Sequence, residues 1–168
     1  WRGPDGSVIG ALLSLQDLSS EVSSQEALRA GEARFRSAMH DSPVGMAIVA
    51  LDGRVEDANP ALCAMLGYTL AELRTLDFQR MTHPEDLERD LALHRETLAG
   101  GRANYWMRKR YFRKDGAILH ADLYVSLARR EDGSPWHFIS HVVDLTERLA
   151  VEEARRESED RLRIVAGV

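Results

Sequence analysis

Cysteine is almost missing from this chain: Cys63 is the only one in 168 residues. An internal disulfide is therefore excluded, and the composition suits a reducing compartment. Cys63 itself reads as a small buried hydrophobe. Long apolar runs are missing too. None exceeds about eight residues, against the ~20 that a membrane-spanning helix needs. No signal peptide is visible, so the expected location is cytoplasmic, with any membrane anchor of a parent protein lying outside this piece and no membrane contact by the piece itself. Positive charge is in deficit, with 22 Lys and Arg against 27 Asp and Glu and a net charge of −5. That argues against nucleic-acid binding through charge alone. The first residue is Trp1 rather than Met, which reads as a fragment of a longer protein. Catalytic constellations are also lacking. His40-Asp41-Ser42 has the residue types of a triad, but consecutive residues cannot adopt triad geometry. Gly100-Gly101 lacks the spacing and Lys-Ser/Thr tail of a phosphate loop. Glu85-Asp86 and Glu152-Glu153 read as helix-start and solvated-face charges.

What is present is organised around residues 42–73. Val44 to Leu51 is a short apolar run, Asp52-Gly53 is a tight-turn pair, and Arg54 to Ala58 reads as a second strand. Asn59-Pro60 then signals a helix start. Asn59 can accept a backbone N–H as N-cap, and Pro60 at the first helical position loses no hydrogen bond. Ala61, Leu62, Met65 and Leu66 supply an apolar face, and Gly67 ends it. Thr69 to Glu72 has the pattern of a capping box.

Farther along, Thr82 or His83 caps a helix with Pro84 in its first turn, running through Leu87, Leu91, His94 and Leu98 to Gly100-Gly101. Tyr105 to Phe112 is a strand, turned back by Lys114-Asp115-Gly116. In Ile118 to Ala128, Leu119, Ala121, Leu123, Val125 and Leu127 alternate with polar residues, the mark of a half-buried strand. Trp136 to Val143 is the last strand. Two strands, several helices and three strands make an α+β domain with one antiparallel sheet.

The stretch from Ser42 to Leu73 resembles the start of a PAS domain. His83-Pro84-Glu85-Asp86, the turn Arg113-Lys114-Asp115-Gly116 and Asp144-Leu145-Thr146-Glu147 are similar to later segments of that family, in order. The resemblance covers about Glu32 to Arg148. It implies a five-stranded antiparallel sheet with short helices on one face and flanking linker helices. It also implies a sensory, signal-relay and dimerisation role in a bacterial signalling protein. The wording of the last strands is most similar to PAS copies preceding diguanylate cyclase and phosphodiesterase domains, and histidine kinases carry very similar copies.

The two ends of the chain resemble each other. Displaced by 127 residues, Asp5-Gly6-Ser7 falls on Asp132-Gly133-Ser134, and Asp17-Leu18-Ser19 falls on Asp144-Leu145-Thr146. Glu32, Arg34 and Arg36 fall on Glu159, Arg161 and Arg163. A period this long, with the same strand-to-helix exit at each end, points to tandem modules. Residues 1–22 are then the tail of a preceding PAS copy, 23–40 a linker helix, 41–147 the complete PAS domain and 148–168 the outgoing linker helix, leading to a third copy or an effector. The first linker carries Leu28, Gly31, Phe35, Ala38 and Met39 at helical spacing.

By resemblance, a small ligand would lie between sheet and helices, with Leu123, Val125, Trp136, Phe138, Ser140 and Val142 pointing toward it. The alternative is that these side chains simply fill the core, and no cofactor is expected. A light-oxygen-voltage flavin receptor needs a reactive cysteine near Asp77-Phe78, and none is there. A haem or FAD redox or gas sensor is the competing reading, with His94 as the candidate axial ligand. With simple hairpin pairing, His120, Asp122, His137 and His141 share the opposite sheet face and could ligate zinc. The basic cluster Arg108, Lys109, Arg110, Arg113 and Lys114 reads as a solvated strand face.

Signal exit is assigned to Asp144, Leu145 and Thr146, where Asp144 or Thr146 caps the last helix. Beyond them, Glu152–Arg156, Glu157–Arg161 and Glu159–Arg163 are i,i+4 pairs. Val151, Ala154, Ser158, Leu162 and Val165 form a narrow stripe. Such a stripe suits pairing of the linker helices in a homodimer.

Overall fold

The computed structural model describes residues 9–165. The start of the expected preceding copy, residues 1–8, and the end of the outgoing linker, residues 166–168, lie outside the described residues. The chain divides into two units, residues 1–41 and 42–168.

In the first unit, α1 (Ile9–His40) is one continuous helix. The repeat places a strand-to-helix exit at Asp17, yet the backbone is helical from Ile9 onward. A strand needs a neighbouring strand to satisfy its backbone groups, whereas a helix satisfies them internally. Of the expected apolar spacing, Leu28 and Phe35 are exposed and Met39 is buried.

The second unit is built on a five-stranded antiparallel sheet in the order β2-β1-β5-β4-β3. Its strands are β1 (Gly45–Val49), β2 (Val55–Ala58), β3 (Asn104–Phe112), β4 (Ile118–Arg129) and β5 (Pro135–Asp144). Between β2 and β3 run α2 (Pro60–Leu66), α3 (Leu70–Leu73), α4 (Phe78–Met81) and α5 (Pro84–Leu98). The chain leaves through α6 (Thr146–Val165). The β1–β2 hairpin turns at Gly53, whose φ of 95° lies in the left-handed region where a Cβ is strained. On β4, Leu119, Ala121, Leu123 and Val125 are buried as their alternation predicts, and they join Met107, Phe138, Val142, Leu66 and Leu73 in one core.

The helix starts follow their capping residues. Thr69 and Glu72 form the reciprocal capping box of α3. His83, rather than Thr82, caps α5, accepting from the Glu85 N–H at 3.3 Å. Thr82 donates its hydroxyl back to the Phe78 carbonyl at 2.7 Å. Among the described residues the ion pair on α6 is Arg155–Glu159 at 2.9 Å, not the expected Glu152–Arg156 or Glu157–Arg161, and the Arg163 side chain of the third expected pair lies outside the described residues. Each such exposed pair contributes only a few tenths of a kcal/mol, so side-chain freedom selects among them. Val151, Ala154 and Ser158 of the expected stripe are exposed. The side chains of Leu162 and Val165 lie outside the described residues.

Asn59 does more than cap. Its Oδ1 accepts from Leu62 N at 3.0 Å and from Met46 N at 2.8 Å. Its Nδ2 donates to the Val44 carbonyl at 2.8 Å. The side chain is only 2% exposed, and it fastens the first residues of β1 to the start of α2. Loss of a cap alone costs about 0.5–2 kcal/mol, and stranding buried backbone groups costs about 1–3 kcal/mol each. Asn59→Ala is accordingly expected to lower stability by about 2–4 kcal/mol in urea denaturation. A loss of less than about 1 kcal/mol would mean that the bonds to β1 add nothing to the cap.

Candidate functional site

The inner sheet face is set by the period of two along each strand. On β3, Tyr105, Met107, Lys109 and Tyr111 point inward and are buried, while Trp106 and Arg108 point outward. Lys109 therefore enters the core, contrary to its reading as part of a solvated basic face. The side opposite is supplied by α5. Its buried residues are Asp90, His94 and Thr97, at helical spacing, while Leu87, Leu91 and Leu98 are only partly covered.

Asp90 and Lys109 meet in an ion pair with both side chains 1% exposed. Lys109 Nζ donates to one Asp90 oxygen and to Thr82 Oγ1 at 2.9 Å. The Tyr105 hydroxyl donates to the other Asp90 oxygen at 3.0 Å. The ammonium also lies 4.1 Å from the centre of the Tyr111 ring, close enough for a cation–π attraction. Burial pulls the Lys109 ammonium below its ordinary value, with the Asp90 carboxylate opposing. Burial, reinforced by Asp90, pushes the Tyr105 and Tyr111 phenols well up. Both phenols therefore stay neutral, and Tyr105 stays a donor to Asp90.

The rest of the basic run is paired as well. Arg108 grips Asp122 across the sheet at 2.9 and 3.3 Å. Arg110 holds Asp86 at 2.9 and 3.0 Å and Glu85 at 2.8 Å. That guanidinium keeps the Asp86 carboxyl below its usual range. Arg113 meets Asp144 at 3.3 Å, and Lys114 meets Glu72 at 2.6 Å. These five cations tie β3 and its turn to α3, α5, β4 and the end of β5.

Five of the six expected pocket residues, Leu123, Val125, Phe138, Ser140 and Val142, do face the helices and are buried. Trp136 does not. The β4–β5 register slips between Ala128 and Arg129, and this bulge takes Trp136 out of the inward alternation. Its ring is 54% exposed and packs beside His137 at 4.4 Å. The space behind the remaining five is small. A cavity of about 30 Å³ lies among Asp90, His94, Lys109, Tyr111, Phe138 and Ser140. A second, of about 40 Å³, lies among Leu62, Leu66, Leu73 and Val142. Ligand sites commonly measure about 300–1,000 Å³, and both interior spaces are well below that size.

His94 is committed elsewhere. Its Nε2 donates to the Leu51 carbonyl at 3.1 Å, and its ring packs 4.2 Å from that of Phe138 and 5.2 Å from that of Phe78. The four expected zinc ligands are not brought together either. The register sets Val143 opposite Asp122, Tyr124 opposite His141 and Ala128 opposite His137. His137 and His141, four residues apart on one strand, are roughly 13 Å apart. The Asp122 carboxylate is occupied by Arg108. Among the described residues, no group of three His, Cys, Asp or Glu side chains is placed to hold a metal ion.

The exit residues do form one arrangement. The Asp144 Oδ1 accepts from Thr146 N at 2.8 Å, capping the first turn of α6. Leu145 N donates to the His120 carbonyl at 2.8 Å, and Thr146 Oγ1 accepts from His120 N at 3.1 Å. Leu145 is buried. The start of α6 is thereby fastened to β4.

This sheet and its helices are those of a PAS domain. The sequence pattern of the PAS fold matches residues 55–142, and the chain belongs to that family. It is 40% identical over 131 residues to the probable diguanylate cyclase DgcE of Escherichia coli (strain K12), covering 78% of this chain and 12% of that protein. It is 27% identical over 136 residues to the sensor histidine kinase TmoS of Ectopseudomonas mendocina, covering 81% and 14%. The chain thus spans about an eighth of these relatives. In three dimensions it is similar to a PAS domain from Colwellia psychrerythraea, with a TM-score of 0.63 at 16% identity, covering 68% of this chain and 97% of that one. Among the described residues, no helix is long and apolar enough to cross a membrane.

The two aromatic residues of β5 give a direct check of the inner face. Phe138→Ala is expected to cost about 3–5 kcal/mol. Trp136→Ala should stay within about 0.5 kcal/mol of the parent. Equal costs in urea denaturation would mean that Trp136 belongs to the core after all.

Proposed function

We propose that the chain is a sensory-relay and dimerisation PAS domain that acts on an effector elsewhere in its protein, a diguanylate cyclase or phosphodiesterase or a histidine kinase. The observation that carries this reading is the exit junction. Asp144, Leu145 and Thr146 join the last strand to α6 through bonds to β4, so a shift within the sheet is delivered to the helix that leaves the domain. The relatives' names, a diguanylate cyclase and a sensor histidine kinase, support both kinds of effector. The correspondence between the two ends of the chain supports a tandem array, with residues 1–22 belonging to a preceding copy. Pairing of the linker helices in a homodimer supplies the geometry by which two outgoing helices move together. The domain works in the cytoplasm and contacts neither nucleic acid nor membrane.

No cofactor is resident in this reading. The filled interior, with Leu123, Val125, Phe138, Ser140 and Val142 packed against α4 and α5, supports relay through packing over haem or FAD sensing. Sedimentation followed by ultraviolet and visible absorbance tests both parts in one run. The expected result is a colourless dimer at tens of micromolar, the range in which a contact of about 6–7 kcal/mol is occupied. A monomer at that concentration contradicts the dimer. A visible chromophore travelling with the protein contradicts the cofactor-free core.

A further inference from the structure

The sheet order places β3 at an edge, with β4 on one side and, on the other, a single bridge from Thr82 to Tyr111 and the bond from His83 N to the Arg110 carbonyl at 2.9 Å among the described residues. An edge strand gets half the backbone bonding of a central one, so side chains decide much of where it sits. On β3 those side chains are charged, and they reach in two directions. From the middle of the strand, buried Lys109 reaches α5 through Asp90. One residue past its end, Arg113 reaches Asp144 through Nη2 and Oδ2 at 3.3 Å. Asp144 is not an ordinary acid: its other oxygen caps α6 through Thr146 N at 2.8 Å. One strand therefore carries a contact to the helix that covers the core and a contact to the carboxylate that starts the outgoing helix.

We propose that the Asp90–Lys109 pair is a latch between α5 and β3, and that Arg113 passes the state of that latch to the cap of α6. A buried ion pair suits this use. Replacing such a pair by apolar side chains is often neutral or stabilising, so stability alone gives little reason for one, whereas separating the charges is strongly unfavourable. Intermediate separations are thus disfavoured, and the α5–β3 contact has two states, closed or open. Two discrete arrangements are what a transmitting element requires. Whatever moves α5 acts on β3 through this contact. β3 in turn acts on α6 through a cap whose strength depends on Arg113 staying in place. Lys109 and Asp90 are positioning residues in this scheme.

The inference rests on the relay reading above but not on dimerisation. A monomeric protein would sink the dimer and leave the latch standing. The test is amide hydrogen exchange on the 168-residue chain carrying Asp90→Leu and Lys109→Met together, alongside urea denaturation. Stability should recover most of what either single substitution loses, short of the parent's by the Tyr105 hydroxyl left without its acceptor, while amides in the first turns of α6 exchange at least about fivefold faster, the lower end of allosteric couplings. In an Arg113→Gln background, the same two substitutions should add nothing to exchange in α6. A purely structural pair predicts the opposite, with protection of α6 returning along with stability, and that result would overturn the proposal. Asp90→Glu, which keeps the charge and moves it by one methylene, gives a second reading should the double variant fail to fold. A change in α6 of similar size supports the latch, and no change overturns it.

Discussion

A lysine and an aspartate buried together constrain this domain more than any apolar contact. Each alone would be too costly to hold inside, because an unpaired buried charge loses its hydration with nothing in return. Together they are held, but only if α5 and β3 approach at one distance and one angle. Thr82 and Tyr105 complete the arrangement, and Thr82 recruits another element. Thr82 brings the end of α4, through its bond to the Phe78 carbonyl. Tyr105 brings the start of β3. The position of the helical layer over the sheet is set by hydrogen-bond geometry here. Elsewhere it is set by the less directional packing of Leu66, Leu73, Met107 and Phe138.

That arrangement explains why the interior is nearly full. Charged and aromatic side chains on the inner face of β3 occupy the space between sheet and helices that the PAS resemblance would assign to a ligand. Lys109 lies over the ring of Tyr111, His94 lies against Phe138, and the volume left over is about that of a water or two. The same strand turns its other charges outward to acids on neighbouring elements. The basic run from Arg108 to Lys114 is thereby spent within the domain. Its job is internal, holding an edge strand to the rest of the fold.

Much of the fold could be read from local signals. Asn59-Pro60, Thr69 with Glu72, and His83-Pro84 marked helix starts because capping involves residues at most three apart. The alternation on β4 marked a half-buried strand because its period is fixed by the backbone. The exit at Asp144 to Thr146 is local for the same reason. What escaped depends on partners distant in sequence. Lys109 reads as solvated among four other cations, although its phase with Tyr105, Met107 and Tyr111 was available. Asp90 is hidden by leucines that suggest a different buried face for α5. Trp136 falls out of the pocket because of a bulge that exists only once β4 and β5 pair. The zinc set dissolves on the same pairing, since strand register rather than residue type decides which of His120, Asp122, His137 and His141 are neighbours. The bonds from Asn59 to Val44 and Met46 connect residues more than ten positions apart, and capping rules say nothing of them.

The central claim is that Asp90 and Lys109 act as one unit, and a double-mutant cycle measures this most directly. Asp90→Leu and Lys109→Met, made singly, should each lower the stability of the folded chain by about 3–5 kcal/mol, because each strands a buried charge. Made together they should cost far less than the sum, leaving a variant below the parent by about 1–3 kcal/mol for the Tyr105 hydroxyl stranded without Asp90. Single costs that simply add would contradict the account, since they would mean that the two side chains contribute independently and that no shared buried pair organises the domain.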